Sequence, residues 1–311
     1  MHIGRIPAIL CSAVLTIATG LTGAALSVPA HAASPPESGV GATSVTEAQT
    51  TPRTVVTLEA VPPAVSARSA ILVDAETGAV HFDKSADRRQ PVASLTKIMT
   101  AYVVLGEAAL DDRVRITSGD VRHPKANNAT GAGFRKGERP TVRDLLHGLM
   151  LSSGADASRA LARAYGPGEA AFVAKMNTAA RALGLRDTRY VNSDGLPTPA
   201  GGGHSTARDQ AKLAMAAQGE PALVKIGSAK RYIVRKTAHT ERRVLVNTNK
   251  LLSTLPGAYG LKTGYHVPAG WCVAFAVQRD GNRYIGVVLG DTGAERRFRT
   301  ATRLIDWAEN R

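Results

Sequence analysis

Three short segments of this 311-residue chain hold residues that could turn a hydroxyl into a nucleophile. Ser94 and Lys97 stand three positions apart at the start of a stretch with helical periodicity. Residues three apart share a helix face, so the amine can approach the hydroxyl. A serine hydroxyl attacks poorly until a base takes its proton. A lysine is such a base only where burial or nearby cations lower its pKa. Ser153-Gly154 falls between two helical stretches, where a hydroxyl can face a cleft. Lys262-Thr263-Gly264 ends a short strand and offers a charge, a hydroxyl and a backbone that substrate can approach closely. Taken singly, each has a plainer reading: Lys97 as a solvated helix lysine, Ser153 as a helix N-cap. Their order and spread along one chain favour the chemical reading.

The elements that must position these residues can be read from periodicity. Ser69 to Phe82 reads as a hairpin turning at Glu76-Thr77-Gly78. From Ser94, apolar residues Ile98, Met99, Tyr102, Val103 and Leu105 recur largely at helical steps. Thr141 to Leu151 is predicted as a helix, with Thr141 as N-cap and Asp144 completing part of a capping box. Helices are also predicted over Asp156 to Tyr165, Glu169 to Leu183 (stopped by Gly184), Thr206 to Ala217 and Ala294 to Ala308. Asn192 to His204, rich in Gly and Pro, is a loop. Strands are predicted at Arg231 to Val234, Tyr259 to Lys262, Trp271 to Val277 and Tyr284 to Leu289. The last two are joined by a tight turn at Asp280-Gly281-Asn282. An early hairpin, a helical middle and late strands imply a sheet built from both ends of the chain around a helical insertion.

The segments resemble a known family. Ser-x-x-Lys, a serine-containing middle motif and Lys-Thr-Gly together mark penicillin-binding proteins and class A β-lactamases. Pro91 to Ala101 and Gly260-Leu261-Lys262-Thr263-Gly264-Tyr265, followed by Ala269-Gly270, resemble the low-molecular-mass D-alanyl-D-alanine carboxypeptidases. Met176-Asn177, Leu183 to Leu185, Asp194-Gly195-Leu196 and His204 to Asp209 also fit, so the resemblance runs over about residues 66 to 308. It implies an α/β (α+β) fold of the β-lactamase/transpeptidase type: an antiparallel sheet flanked by helices, plus a mostly helical subdomain. By resemblance, Ser94 would attack the carbonyl between two D-alanines, with Lys97 as general base. Ser153 would relay a proton to the leaving D-alanine, and Lys262 would tune the local field. The backbone N–H groups of Ser94 and Tyr265 would form the oxyanion hole. Thr263 and an arginine would hold the terminal carboxylate; Arg297 fits best, with Arg296 next. Gly264 would let the substrate backbone approach. The implied partners are peptidoglycan stem peptides and, as covalent inhibitors, β-lactams.

Two departures stand out. The family's middle motif is usually Ser-x-Asn, but here Ala155 replaces the amide. This predicts weaker substrate orientation, and it keeps open a catalytically weak wall-binding homologue. Many relatives continue into a β-rich domain and an amphipathic anchor, whereas this sequence ends at Arg311, so no C-terminal anchor is expected. A β-lactamase of the same fold is the other alternative. The region where class A enzymes place a deacylating glutamate offers Arg186, Asp187 and Arg189 instead. Cys272 reads as a small core residue, since no base neighbours it in sequence. His204 is expected to pin its loop, and His266 to line the cleft in a secondary role.

At the N-terminus, His2 and Arg5 precede an uncharged apolar stretch, Ile6 to Pro29, and Ala30-His31-Ala32 follows, with cleavage expected after Ala32. This reads as a secretory signal over residues 1–32, with an uncleaved membrane anchor as the competing reading. Residues 33–62 read as a flexible linker and 63–311 as the catalytic domain. A secreted, wall-associated protein is expected. The net charge of +14 comes from scattered Lys and Arg without interleaved aromatics, which argues against a nucleic-acid partner. The eight His residues are dispersed, so neither metal nor cofactor is expected.

Overall fold

Alternating side chains on strands of both chain ends let one sheet bury two faces at once. The computed structural model describes residues 61–199 and 201–310. The proposed signal and nearly all of the linker lie outside the described residues. The strands are β1 (Ser69–Asp74), β2 (Val80–Lys84), β5 (Ala258–His266), β6 (Gly270–Arg279) and β7 (Asn282–Asp291). They form an antiparallel sheet in the order β2-β1-β7-β6-β5, so the N-terminal hairpin pairs with the last strand, as expected. Odd and even positions sort to opposite faces. Leu72, Val273, Phe275 and Val277 pack against Phe298, Leu304 and Ile305 of α9 (Arg296–Glu309). Ile71, Ala274, Ala276 and Val287 join a larger core shared with the helices.

Those helices are α1 (Thr96–Leu105), α2 (Ser118–Ala126), α3 (Val142–Met150), α4 (Ala155–Tyr165), α5 (Glu169–Ala182), α6 (Ala207–Gln218) and α7 (Pro221–Ser228). Threonine side chains cap the starts of α2, α3 and α6. Thr141 accepts from Asp144 N at 3.1 Å while Asp144 accepts from Thr141 N at 3.0 Å, a full capping box. Ile98, Met99 and Ala101 of α1 have no exposed surface. The helix that must carry Lys97 is therefore wedged in the core and cannot shift cheaply.

Several expectations need correction. The strand read as Tyr259 to Lys262 continues through Thr263 to His266, because Lys262 to Gly264 pair with Cys272 to Ala274 of β6. The helix read from Ser94 begins at Thr96, and Ser94 occupies a single tight 3₁₀ turn, Ala93–Leu95. The strand β4 (Arg243–Val246), which pairs with β3 (Arg231–Val234), was not expected, nor were α2, α7 and a short helix, α8 (Leu251–Thr254). These are short or mostly polar, and tertiary packing rather than periodicity stabilises them.

Candidate active site

The edge strand β5 lies beside the tight turn that carries Ser94. Gly264 makes that approach possible. A Cβ there would stand 3.0 Å from the Ser94 backbone N and 3.1 Å from both Val92 O and Leu95 Cδ1. Two non-glycine residues near Ser94 hold left-handed backbone: Ala93 (φ 50°) and Ser153 (φ 58°). Such conformations are costly for side-chain-bearing residues and persist where surrounding packing imposes them.

Ser94, Lys97, Ser153, Thr263, Gly264, Tyr265 and Arg297 line one open hollow of about 560 Å³, with the loop Asn127 to Thr130 forming part of its rim. Lys97 Nζ lies 3.1 Å from Ser94 Oγ and donates at 2.7 Å to the Asp194 carbonyl. Burial pushes the Lys97 pKa down from 10.5 to about 8, against the negative charges of Asp194 and Asp156, which raise it. An amine so poised can accept a hydroxyl proton near neutral pH. Lys262 is also fully buried, and its Nζ donates to the Thr263 carbonyl at 2.9 Å. Burial lowers its pKa well below the usual lysine value, helped by the nearby Lys97 and Arg297 charges.

Ser153 is not a helix cap: the N-cap of α4 is Gly154, and no side chain caps that helix. Its hydroxyl is left to the hollow that its side chain lines. Asp156, the second residue of α4, accepts from the backbone N–H groups of Ala132, Gly133 and Phe134. That bond set ties the loop after α2 to the start of α4. Ala155 is wholly buried and offers no polar atom beyond its backbone.

One wall of the hollow is built from β5, β6 and α9. The Thr263 hydroxyl is 2.7 Å from that of Thr248. Arg297 donates to the carbonyls of Gly264 (3.0 Å) and Cys272 (3.1 Å), and its guanidinium lies over the Trp271 ring. Its Nε has no hydrogen-bond partner among the described residues. Burial lowers its pKa to about 10, so it stays charged at neutral pH. Arg296, by contrast, bonds Thr292 at an exposed position and does not line the hollow. Tyr265 stacks on Trp271 with ring centroids 3.8 Å apart.

Residues 56–293 match the D-alanyl-D-alanine carboxypeptidase family, peptidase S11. The chain belongs to that family. It is 37% identical over 269 residues to the D-alanyl-D-alanine carboxypeptidase of Streptomyces sp. (strain K15), covering 83% of this chain and 90% of the relative. The carboxypeptidase DacF of Bacillus subtilis (strain 168) is 33% identical over 248 residues, and the match spans only 62% of that longer protein. The crystal structure of the Streptomyces K15 DD-transpeptidase superposes with a TM-score of 0.76 at 37% identity, covering 80% of this chain and 98% of the other. As a D-alanyl-D-alanine carboxypeptidase of the penicillin-binding fold, the enzyme is a serine hydrolase, and the β-lactamase and wall-binding alternatives are not favoured.

Within this carboxypeptidase, Cys272 is buried, and burial pushes its thiol up to about 11, which leaves it unreactive. His266 lines the hollow and accepts from Ala269 N at 3.1 Å. His204 sits in the loop as expected, bridged to Arg189 and bonded to Gly202 O. The sequence reading missed three contributors: the Asp194 carbonyl, the Thr248 hydroxyl and His123, whose Nε2 meets Asp194 Oδ2 at 2.6 Å. Thr117 and Asp120, spaced as a capping pair, were the available signal for the helix that carries His123.

Proposed function

We propose that Ser94 is the nucleophile of a D-alanyl-D-alanine carboxypeptidase acting on peptidoglycan stem peptides, and that Lys97 is its general base. The observation that carries this reading is the 3.1 Å contact between the Ser94 hydroxyl and a buried amine of lowered pKa. In the neutral form, Lys97 Nζ takes the hydroxyl proton as Ser94 Oγ attacks the penultimate D-alanine carbonyl. The developing oxyanion is received by the backbone N–H groups of Ser94 and Tyr265. Ser153 passes a proton to the leaving amine, with Lys262 setting the field. Thr263 and Arg297 hold the terminal carboxylate, and Gly264 keeps the strand close. Water then releases the acyl group and regenerates Ser94. An amine acceptor in place of water would make the same site a transpeptidase. The Streptomyces K15 relative carries both carboxypeptidase and DD-transpeptidase in its names, which supports that side activity.

β-Lactams acylate Ser94 in the same way. Among the described residues no carboxylate side chain lines the hollow, which supports a long-lived acyl-enzyme in place of rapid turnover. Intact mass after incubation with penicillin tests the assignment. One adduct on the wild type and none on Ser94→Ala is expected, while an adduct that survives Ser94→Ala would overturn it.

Residues 1–32 serve as a signal segment, 33–62 as a tether and 63–311 as the catalytic domain, placing the enzyme at the cell wall. No helix among the described residues is long and apolar enough to cross a membrane. N-terminal sequencing of protein recovered from the medium checks cleavage after Ala32; an intact Met1 on membrane-bound protein would refute it.

A further inference from the structure

Lys97 has two hydrogen-bond partners, the Ser94 hydroxyl and the Asp194 carbonyl. The middle motif supplies no side-chain anchor, because Ala155 is apolar and buried. The amine is therefore steered by one carbonyl, which belongs to a loop, Asn192 to Leu196, outside any helix or strand. Loops hold position only where they are tied down. Ser193 is tied to three helices through Thr100, Ser158 and Glu169. Asn192 braces the turn internally at Gly195 N and Leu196 O. Residue 194 itself is tied from outside the loop by His123, whose Nε2–H donates to Asp194 Oδ2 at 2.6 Å; Leu196 N donates to Oδ1 at 3.1 Å. Asn127 Nδ2 lies 3.2 Å from His123 Nδ1, on the ring edge away from the Asp194 contact. The Asp194 side chain is 2% exposed, and a carboxylate so buried depends on its partners.

We propose that His123 is a positioning residue for the acylation step: through its bond to Asp194 it holds the Asp194 carbonyl against the Lys97 amine. This rests on the reading of Ser94 and Lys97 as nucleophile and base. The anchor that the middle motif lacks is thereby supplied from α2, through Asp194. The pair also acts on the amine by charge. Burial alone would raise the Asp194 carboxyl, but the His123 bond, the Lys97 charge and the Leu196 N–H outweigh it and hold it below the usual value. The groups facing Lys97 are then Asp194 and Asp156, both negative, and Lys262 and His266 from β5.

The test compares wild type, His123→Ala, His123→Asn, His123→Gln and Asp194→Asn. Each is followed for D-alanine release from a diacyl-D-Ala-D-Ala peptide and for acylation by a fluorescent penicillin between pH 6 and 10. His123→Ala and the too-short His123→Asn are expected to lower kcat and the acylation rate about ten- to a hundredfold, with KM within about twofold. His123→Gln, which can still reach and donate, is expected to recover most of the rate. Asp194→Asn removes a negative neighbour of Lys97 and is expected to move the acidic limb of the acylation profile to lower pH. If His123→Ala does not fold, the Asn and Gln pair carries the comparison. The proposal is overturned by a wild-type rate in His123→Asn or His123→Ala, by a loss that His123→Gln does not relieve, or by an acidic limb unmoved in Asp194→Asn. A wild type that penicillin does not acylate at Ser94 would instead sink the underlying reading of nucleophile and base.

Discussion

The pH dependence of acylation follows directly from where Lys97 sits. The amine works as a base only when neutral, and burial brings its pKa from 10.5 to about 8. The neutral fraction is then roughly a hundredth at pH 6, about a tenth at pH 7, half near pH 8 and about nine-tenths at pH 9. The second-order rate of acylation by a slow penicillin reports the free enzyme, so it should climb about tenfold per pH unit up to pH 7 and level off above pH 9. A lysine at its ordinary value would instead give a rise of about a hundredfold between pH 7 and 9 with no plateau. Stopped-flow or quenched acylation, with thermal melts at each pH to confirm folding, measures the curve. Lys97→Arg keeps the charge but cannot give up its proton, so it should lose about 10²- to 10⁴-fold and the limb with it. A profile flat from pH 6 to 8, or a Lys97→Arg enzyme that acylates at the wild-type rate, would refute the assignment of this amine as base.

The same burial predicts a cost to stability. The folded pKa of Lys97 lies below the unfolded one, so the unfolded chain binds more protons and stability rises with pH between about 8 and 10.5. At ~1.36 kcal/mol for each tenfold change, the penalty below pH 8 is about 3 kcal/mol. Lys97→Met should therefore be inactive yet about 2–3 kcal/mol more stable at pH 7, a gain that fades toward pH 10.5 in denaturant titrations. A destabilised Lys97→Met at pH 7 would contradict this. Gly264→Ala should cut penicillin labelling at least about a hundredfold, because its Cβ would press on the Ser94 backbone N and Val92 O, both main-chain atoms that cannot swing aside. Labelling at the wild-type rate would show that strand and turn need not touch. Arg297→Leu should lower kcat/KM about ten- to a hundredfold for peptides with a free terminal carboxylate and far less for the C-terminal amides. Equal losses on both substrates would mean that Arg297 serves only to brace Gly264 and Cys272.

Much of the site was legible because its motifs are local. Ser94 and Lys97 are neighbours on one turn, and Lys262 to Gly264 are consecutive, so their spacing is preserved whatever surrounds them. Strands β1, β6 and β7 were legible because both sheet faces are buried, so each carries a nearly continuous apolar run. Helix α2 was illegible for the opposite reason. Its residues Ser118-Gly119-Asp120-Val121-Arg122-His123-Pro124 carry almost no apolar stripe, and it is fixed by a capping box and by contact with α4. His123 was hidden with it.

By itself the sequence pointed to the residues proposed to carry chemistry, to the longer helices and the sheet strands around them, and to the family that the motifs imply. Only the tertiary structure decided that Lys97 is buried with its pKa lowered, that its second partner is the carbonyl of Asp194, and that Arg297 and not Arg296 lines the hollow. The physical reason is range. Periodicity and capping are set by residues a few positions apart, whereas desolvation and the meeting of groups far apart in the chain exist only once sheet and helices have closed on one another.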